Sequence, residues 1–142
     1  MRYNPTMVQP MRDELVRIGF EELMTPDEVD HALRREDATT LVVVNSVCGC
    51  AAGKARPGVT LALRHSAKPD WLVTVFAGME VDATDRARSY FEGYPPSSPQ
   101  IALFKDGRLV HMLERKDIEG RGAEEIATEL RSAFDQHCGA VA

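Results

Sequence analysis

The sequence contains two cysteines separated by one glycine, Cys48-Gly49-Cys50. Two thiols this close together can form and exchange disulfides. They follow an apolar run and stand at the predicted start of a helix. The first turn of a helix carries free N–H groups and about half a positive charge, and both stabilise a thiolate. We therefore predict that the pKa of Cys48 is lowered and that its thiolate is a nucleophile. Cys50 would then resolve a mixed disulfide formed at Cys48.

The glycine spacer indicates the direction in which such a pair would exchange disulfides. A one-residue spacer closes a tight ring, and glycine relaxes the local limits on φ and ψ. A disulfide closed over one residue is expected to be more strained than one closed over two, and strain raises the reduction potential. We therefore expect the pair to oxidise or isomerise other disulfides more readily than it reduces stable ones.

Three other interpretations of the motif compete with redox chemistry. Both cysteines could be small core residues, since free cysteine is often buried, although a pair at a strand-to-helix junction favours redox function. A structural zinc site needs four ligands, and His137-Cys138 would contribute only if the last helix ended beside the motif. A phosphate-binding loop fails because three residues rather than four separate Gly49 from Gly53, and Ala55 stands where Ser or Thr is required.

The residues around the motif predict a β-α-β unit that positions it. Residues 41–44 and 71–76 are short, apolar, β-branched runs, as in strands that are buried on both faces of a sheet. The first strand ends near Asn45, directly before the motif. Residues 48–65 are long enough for a crossover helix, which Pro57 is expected to kink or interrupt. The connection should be right-handed.

The other segments alternate between helices and strands. Apolar residues at helical spacing predict a first helix that includes Met11 and Leu23, and Thr25 caps a second one. The dipeptide Asp106-Gly107 predicts a type I′ hairpin. Further helices are predicted at 82–91 and 126–137, and strands at 100–105 and 108–114. The order α-α-β-α-β-α-β-β-α defines an α/β fold, a central mixed sheet with helices on both faces.

Length and charge limit what the chain can be. Its 142 residues predict a single domain, with an N-terminal helical segment at 1–37 and a β-α-β-α-β-β-α core at 38–142. The net charge of −5 disfavours nucleic acid or an anionic membrane as a partner. No apolar run has the length of a signal peptide or a membrane span, and three cysteines are too few for a secreted disulfide framework. We expect a cytoplasmic protein with reduced thiols.

With this motif and element order, the sequence resembles the bacilliredoxin family over residues 10–138. The resemblance rests on the block Val43-Val44-Asn45-Ser46-Val47-Cys48-Gly49-Cys50-Ala51-Ala52-Gly53 and on Ala55-Arg56-Pro57 after it. Segments 74–78, 96–99, 118–120 and 134–138 add to it. The resemblance implies a thioredoxin-like fold and thiol–disulfide exchange in the bacterial cytoplasm. It also implies removal of bacillithiol from protein mixed disulfides, with weak disulfide isomerase behaviour in some members.

The resemblance further implies roles for individual residues. Cys48 would be the attacking thiol and Cys50 the resolving one. Thioredoxin-like folds place a cis-proline opposite the active cysteines, and Pro99 stands at that point of this sequence. Ser98 before it would then offer main-chain hydrogen bonds to a bound peptide or thiol.

Several residues outside the motif carry predictions of their own. Arg56 would bind substrate by pairing with a carboxylate of the thiol, or lie on a solvated helix surface. Lys54 would favour the thiolate or point to solvent. Cys138 is expected as a semi-exposed thiol on a frayed helix end, and Trp71 as a core residue. The four histidines show no ligand spacing with carboxylates and are expected at the surface or at an interface: His31, His65, His111 and His137.

The favoured function is that of a small thiol–disulfide oxidoreductase. Its expected partners are client proteins carrying mixed disulfides, with bacillithiol or another low-molecular-weight thiol as co-substrate and with no tightly bound cofactor or metal. Two alternatives remain open: a thioredoxin-like adaptor that docks a partner through the Pro99 face without turnover, and a redox or metal sensor. The sequence is compatible with a monomer or a homodimer.

Overall fold

The structure, a computed structural model, describes residues 3–139 and has a mixed five-stranded sheet at its centre, in the order β1-β3-β2-β4-β5. β2 pairs in parallel with β3 and antiparallel with β4. The predicted mixed α/β sheet is therefore confirmed. The strands are β1 (Glu21–Glu22), β2 (Thr39–Asn45), β3 (Trp71–Phe76), β4 (Gln100–Lys105) and β5 (Arg108–Leu113).

Helices cover both faces of this sheet. Side chains alternate along β2, so Leu41 and Val43 pack into one apolar cluster, while Val42 and Val44 pack into another. All seven residues of β2 are buried, which explains why the middle of this strand is apolar without interruption. The helices are α1 (Pro5–Val16), α2 (Pro26–Leu33), α3 (Arg56–Ala62), α4 (Val81–Arg88), α5 (Arg115–Glu119) and α6 (Ala123–His137).

The N-terminal segment differs from the predicted pair of helices. α1 ends at Val16, and the chain turns at Gly19, whose φ is +107°. Phe20 and Leu23 are buried as predicted, but they flank the short edge strand β1, which pairs in parallel with β3. The helical spacing failed here because residues on the two sides of a tight turn can face one core without sharing a helix. Residues 1–37 thus contribute a strand to the sheet rather than only helices.

The second half of the chain follows the predicted order with one addition and one correction. Asp106 and Gly107 both have positive φ, at 53° and 78°, as a type I′ hairpin requires. The short helix α5, which the sequence analysis did not predict, follows β5. Trp71 is not a core residue: it is 46% exposed, and the guanidinium of Arg35 lies 3.9 Å from the centroid of its ring.

None of the helices within residues 3–139 combines sufficient length with sufficient apolar character to span a bilayer.

Candidate active site

The Cys-Gly-Cys motif lies at the carboxyl end of the central strand. β2 ends at Asn45, and helical structure begins at Gly49. Residues 51–55 form a π-helical turn in which the amide of Arg56 donates to the carbonyl oxygen of Ala51. This wide turn comes directly before Pro57, which lacks an N–H and would crowd the carbonyl four residues earlier in a regular α-helix. Pro57 therefore widens the helix instead of ending it.

The environment of Cys48 favours its thiolate. Partial burial acts to raise the pKa of Cys48, but four groups oppose it: the Ser46 hydroxyl, the amides of Ala51 and Cys50, and the charge of Arg115. Together they outweigh the burial, so the pKa of Cys48 lies below its ordinary value. The Ser46 Oγ also accepts the Cys48 amide at 3.2 Å, which holds the hydroxyl beside the sulfur.

The other two residues of the motif differ in their surroundings. Cys50 is half-buried and packs against the apolar cluster between the sheet, α3 and α6. Gly49 is exposed; its φ is not positive, and a Cβ at this position would meet no heavy atom within 4 Å. The dithiol form therefore requires glycine at position 49 neither for space nor for backbone conformation.

The start of β4 faces Cys48, because Gln100 pairs with Val44 near the end of β2. The peptide bond between Ser98 and Pro99 is cis. The Sγ of Cys48 lies 4.0 Å from the carbonyl oxygen of Ser98. The structure thus brings Ser98, which lies 50 residues after Cys48 in the chain, and the adjacent Pro99 beside the motif.

The sequence analysis missed Arg115, the first residue of α5. Its Nη1 donates to the carbonyl oxygen of Ser98 at 3.2 Å, and its backbone amide donates to the Ser97 Oγ at 3.4 Å. Its charge is one of the factors that lower the pKa of Cys48. No local signal marks Arg115, since only the pairing of β4 with β5 brings it to the site. Ser46 could have been found, as a hydroxyl two residues before Cys48.

Arg56 does not have the predicted role. Its side chain is 2% exposed, so neither a substrate carboxylate nor bulk water reaches it. Its Nη1 donates to the Asn45 Oδ1 at 2.9 Å and to the Ser46 carbonyl oxygen at 3.0 Å, and its Nε donates to a Glu14 carboxylate oxygen at 3.1 Å. The helix turns Arg56 inward beneath the loop, where a buried guanidinium needs such partners. Arg56 supports the site rather than binding substrate.

Lys54 also differs from the sequence expectation. Its Nζ donates to the carbonyl oxygen of Glu119 in α5. It is not among the groups that shift the pKa of Cys48. Its position thus links the π-helical turn to α5.

Cys138 lies far from the motif in the fold. It caps the end of α6, is half-buried against the core, and lies near Thr39 at the start of β2, whereas Cys48 follows the end of that strand. Burial raises the pKa of Cys138. It is thus semi-exposed, as predicted, but its sulfur-bearing residue packs against the core, and His137-Cys138 is not beside the motif as a zinc site would require. Within residues 3–139, no three His, Cys, Asp or Glu side chains are grouped to hold a metal ion.

Two of the histidines bind carboxylates that are remote in sequence. His65 Nε2 lies 2.7 Å from Asp135, and His111 Nε2 lies 2.7 Å from Glu129. Both pairs join α6 to other elements and lie at partly exposed positions. Their geometry is that of structural contacts between elements.

The arrangement is chemically suited to thiol–disulfide exchange. A partly exposed sulfur with a lowered pKa faces a backbone carbonyl, and a second thiol follows two residues later.

Comparison with solved structures identifies the class of fold. Oxidised mitochondrial thioredoxin 3 of Saccharomyces cerevisiae aligns with a TM-score of 0.56 over 84% of this chain and 96% of its own, at 17% identity. The thioredoxin of Fasciola hepatica aligns with a TM-score of 0.56 over 83% and 99%, at 20% identity. The fold is thioredoxin-like, as the sequence resemblance implied.

Sequence comparison identifies the family. A family model described as disulphide isomerase matches residues 3–138. A bacilliredoxin of Koribacter versatilis is 58% identical over 99% of this chain and 97% of its own length. A bacilliredoxin of Geobacillus kaustophilus is 54% identical over 96% and 95%. The chain belongs to the bacilliredoxin family, and with it to the thiol–disulfide oxidoreductases.

Proposed function

We propose that this protein removes bacillithiol, or a similar small thiol, from mixed disulfides on client proteins. The observation that carries the proposal is the partly exposed Cys48 sulfur, with its lowered pKa, beside the Ser98 carbonyl. The names of its relatives support bacillithiol as the thiol. The reduced thiols that this chemistry needs at its start agree with action in the cytoplasm.

In the first step, the Cys48 thiolate attacks the small-thiol sulfur of the mixed disulfide. A bond forms between the Cys48 Sγ and that sulfur, and the bond between the small thiol and the client breaks. The client leaves as a thiolate and takes up a proton from water. The Ser46 hydroxyl and the Ala51 amide stabilise the attacking thiolate before the reaction.

In the second step, Cys50 clears the enzyme. Cys50 loses its proton and attacks the Cys48 Sγ, a disulfide forms between the two cysteines, and the small thiol leaves as a thiolate. A dithiol or low-molecular-weight thiol reductant then restores both cysteines. Both thiols are partly exposed, and only Cys50 also packs against the apolar cluster between the sheet, α3 and α6.

Isomerisation of protein disulfides would use the same nucleophile. Cys48 would attack a non-native disulfide of the client, and another client thiol would displace it, so that no net oxidation occurs. The description of the matching family model supports this second activity. Main-chain groups of Ser98 would hold the client segment next to the sulfur.

The test is a transfer assay followed by mass spectrometry of the intact protein. A small client with one cysteine is loaded with bacillithiol and mixed with the wild-type protein or with Cys48→Ser, Cys50→Ser or Cys138→Ser. We expect wild type and Cys138→Ser to free the client and to end with oxidised cysteines. Cys50→Ser should retain bacillithiol on Cys48, and Cys48→Ser should be inactive.

Two results would contradict the proposal. If wild type frees the client no faster than buffer does, the protein is not an exchange enzyme. That result would favour the interpretation as a thioredoxin-like adaptor. If Cys48→Ser still accepts bacillithiol whereas Cys50→Ser does not, the roles of the two cysteines are reversed.

A further inference from the structure

A groove of about 520 Å³ lies between the loop before Pro99 and α5, and neither cysteine of the motif lines it. Tyr94, Pro95 and Ser97 line one side, and Arg115, Lys116 and Glu119 line the other. Its volume is within the range of small-molecule sites and is too small for a folded partner. Arg115, which lines the groove, donates a hydrogen bond to the Ser98 carbonyl oxygen. That oxygen lies 4.0 Å from the Cys48 Sγ.

Arg115 connects this groove electrostatically with the reacting sulfurs. Its pKa is raised by the hydrogen bond to Glu119 first and by the charges of Cys48 and Cys50 as well. In the described part of the chain, its Nη1 and Nε have partners, at Ser98 and Glu119, and its Nη2 has none. Arg115 therefore has a donor left for a ligand that sits in the groove.

We propose that this groove binds the small-thiol half of the mixed disulfide and that Arg115 pairs with a carboxylate of that thiol. The inference rests on the proposed function and adds to it a substrate class, the anionic low-molecular-weight thiols. An arginine suits the task because its planar fork binds a carboxylate through two parallel hydrogen bonds.

The groove also contains acidic groups, and they define what the ligand must displace. Lys116 Nζ lies 3.4 Å from a Glu114 carboxylate oxygen, but the lysine side chain is 76% exposed, so water screens this ion pair. Arg115 Nε pairs with Glu119 at 3.3 Å, but these two side chains are 44% and 51% exposed. An ion pair that exposed contributes little, so a substrate carboxylate can replace Glu119 on the guanidinium. Glu119 should then weaken the selection for anionic thiols.

The experiment uses a single-cysteine client loaded with one of three thiols that differ mainly in charge: 3-mercaptopropionate, 2-mercaptoethanol or cysteamine. The rate of transfer to Cys48 is measured for the full-length protein, for Arg115→Gln and for Glu119→Gln. Arg108→Gln is the matched control, because it removes the same charge from an exposed residue at the opposite end of the sheet.

We expect the wild type to transfer the anionic thiol faster than the neutral one and the cationic one slowest. Arg115→Gln should lower the ratio of anionic to neutral rates by about three- to five-fold. Glu119→Gln should raise that ratio, and Arg108→Gln should leave it unchanged. Loss of Arg115 also removes a group that favours the Cys48 thiolate, but that effect slows all three transfers alike and cancels in the ratio.

The outcomes separate this inference from the proposed function. If exchange proceeds and the ratio is the same in wild type and Arg115→Gln, Arg115 does not recognise the thiol, whereas the exchange function stands. If the wild type transfers none of the three thiols, the selection of anionic thiols is overturned, and the bacillithiol transfer assay decides separately whether the exchange function stands.

Discussion

The Nη1 of Arg56 lies 2.9 Å from the Oδ1 of Asn45, and both side chains are almost completely buried. Asn45 is the last residue of β2, and the same Nη1 donates to the carbonyl oxygen of Ser46. The guanidinium thus ties the end of the central strand to the residue whose hydroxyl lies beside Cys48. Through Glu14, the contact also includes α1.

Replacing Arg56 by methionine should destabilise the protein by about 2–4 kcal/mol, because the buried Asn45 amide and the Ser46 carbonyl would lose their charged donor. Urea unfolding measures this difference. Arg64→Met is the matched control, since Arg64 is exposed two turns later and its loss should change stability by less than about 0.5 kcal/mol. Equal stabilities for the two variants would show that the buried contacts contribute nothing.

Ser46→Ala should raise the pKa of Cys48, because the Ser46 hydroxyl stabilises the thiolate. The rate of alkylation by iodoacetamide follows the thiolate fraction, so the midpoint of its pH dependence should move to higher pH. At neutral pH the variant should therefore react more slowly. Ser66→Ala changes an exposed serine and serves as the control. An unchanged midpoint in Ser46→Ala would show that the Ser46 hydroxyl does not stabilise the Cys48 thiolate.

Cys48 and Cys138 should differ in how fast they are labelled in the native protein. Cys48 should be alkylated well before Cys138 at neutral pH, since the pKa of the first is lowered and burial raises the pKa of the second. Quenched labelling with peptide mapping by mass spectrometry gives the order. In urea the two sites should become similar, because the differences come from the folded structure. Native labelling of Cys138 at the rate of Cys48 would contradict this description of both sites.

Gly49→Ala should leave the stability of the dithiol form unchanged or raise it by up to about 1 kcal/mol, because a Cβ there meets open space within a helical segment. Gly58→Ala is the contrasting variant. A Cβ at position 58 would lie 2.7 Å from Cγ2 of Ile126, so it should cost about 1–3 kcal/mol between α3 and α6. Thermal unfolding under reducing conditions compares the two. A strongly destabilised Gly49→Ala would mean that the spacer is needed before any disulfide forms.

Features set by neighbouring residues could be read directly from the sequence. The apolar run at 41–44 predicted a buried strand, and Asp106-Gly107 predicted the hairpin, because the period of side chains and the φ preferences of turn residues are local properties. The prediction that the first helix includes Leu23 failed, since spacing alone cannot distinguish one helix from a helix, a turn and a strand that share a core.

The sequence by itself determined the candidate pair of cysteines, its place after a buried strand and, through its resemblance to a family, the fold and the cis-proline near the motif. Only the tertiary structure decided which charges reach that pair. Arg115 arrives there through the pairing of β4 with β5, and Arg56 turns inward beneath Asn45. Both outcomes depend on how segments that are distant along the chain pack together. Charged and hydrogen-bonded partners that meet only through such packing leave no periodic or local pattern in the sequence.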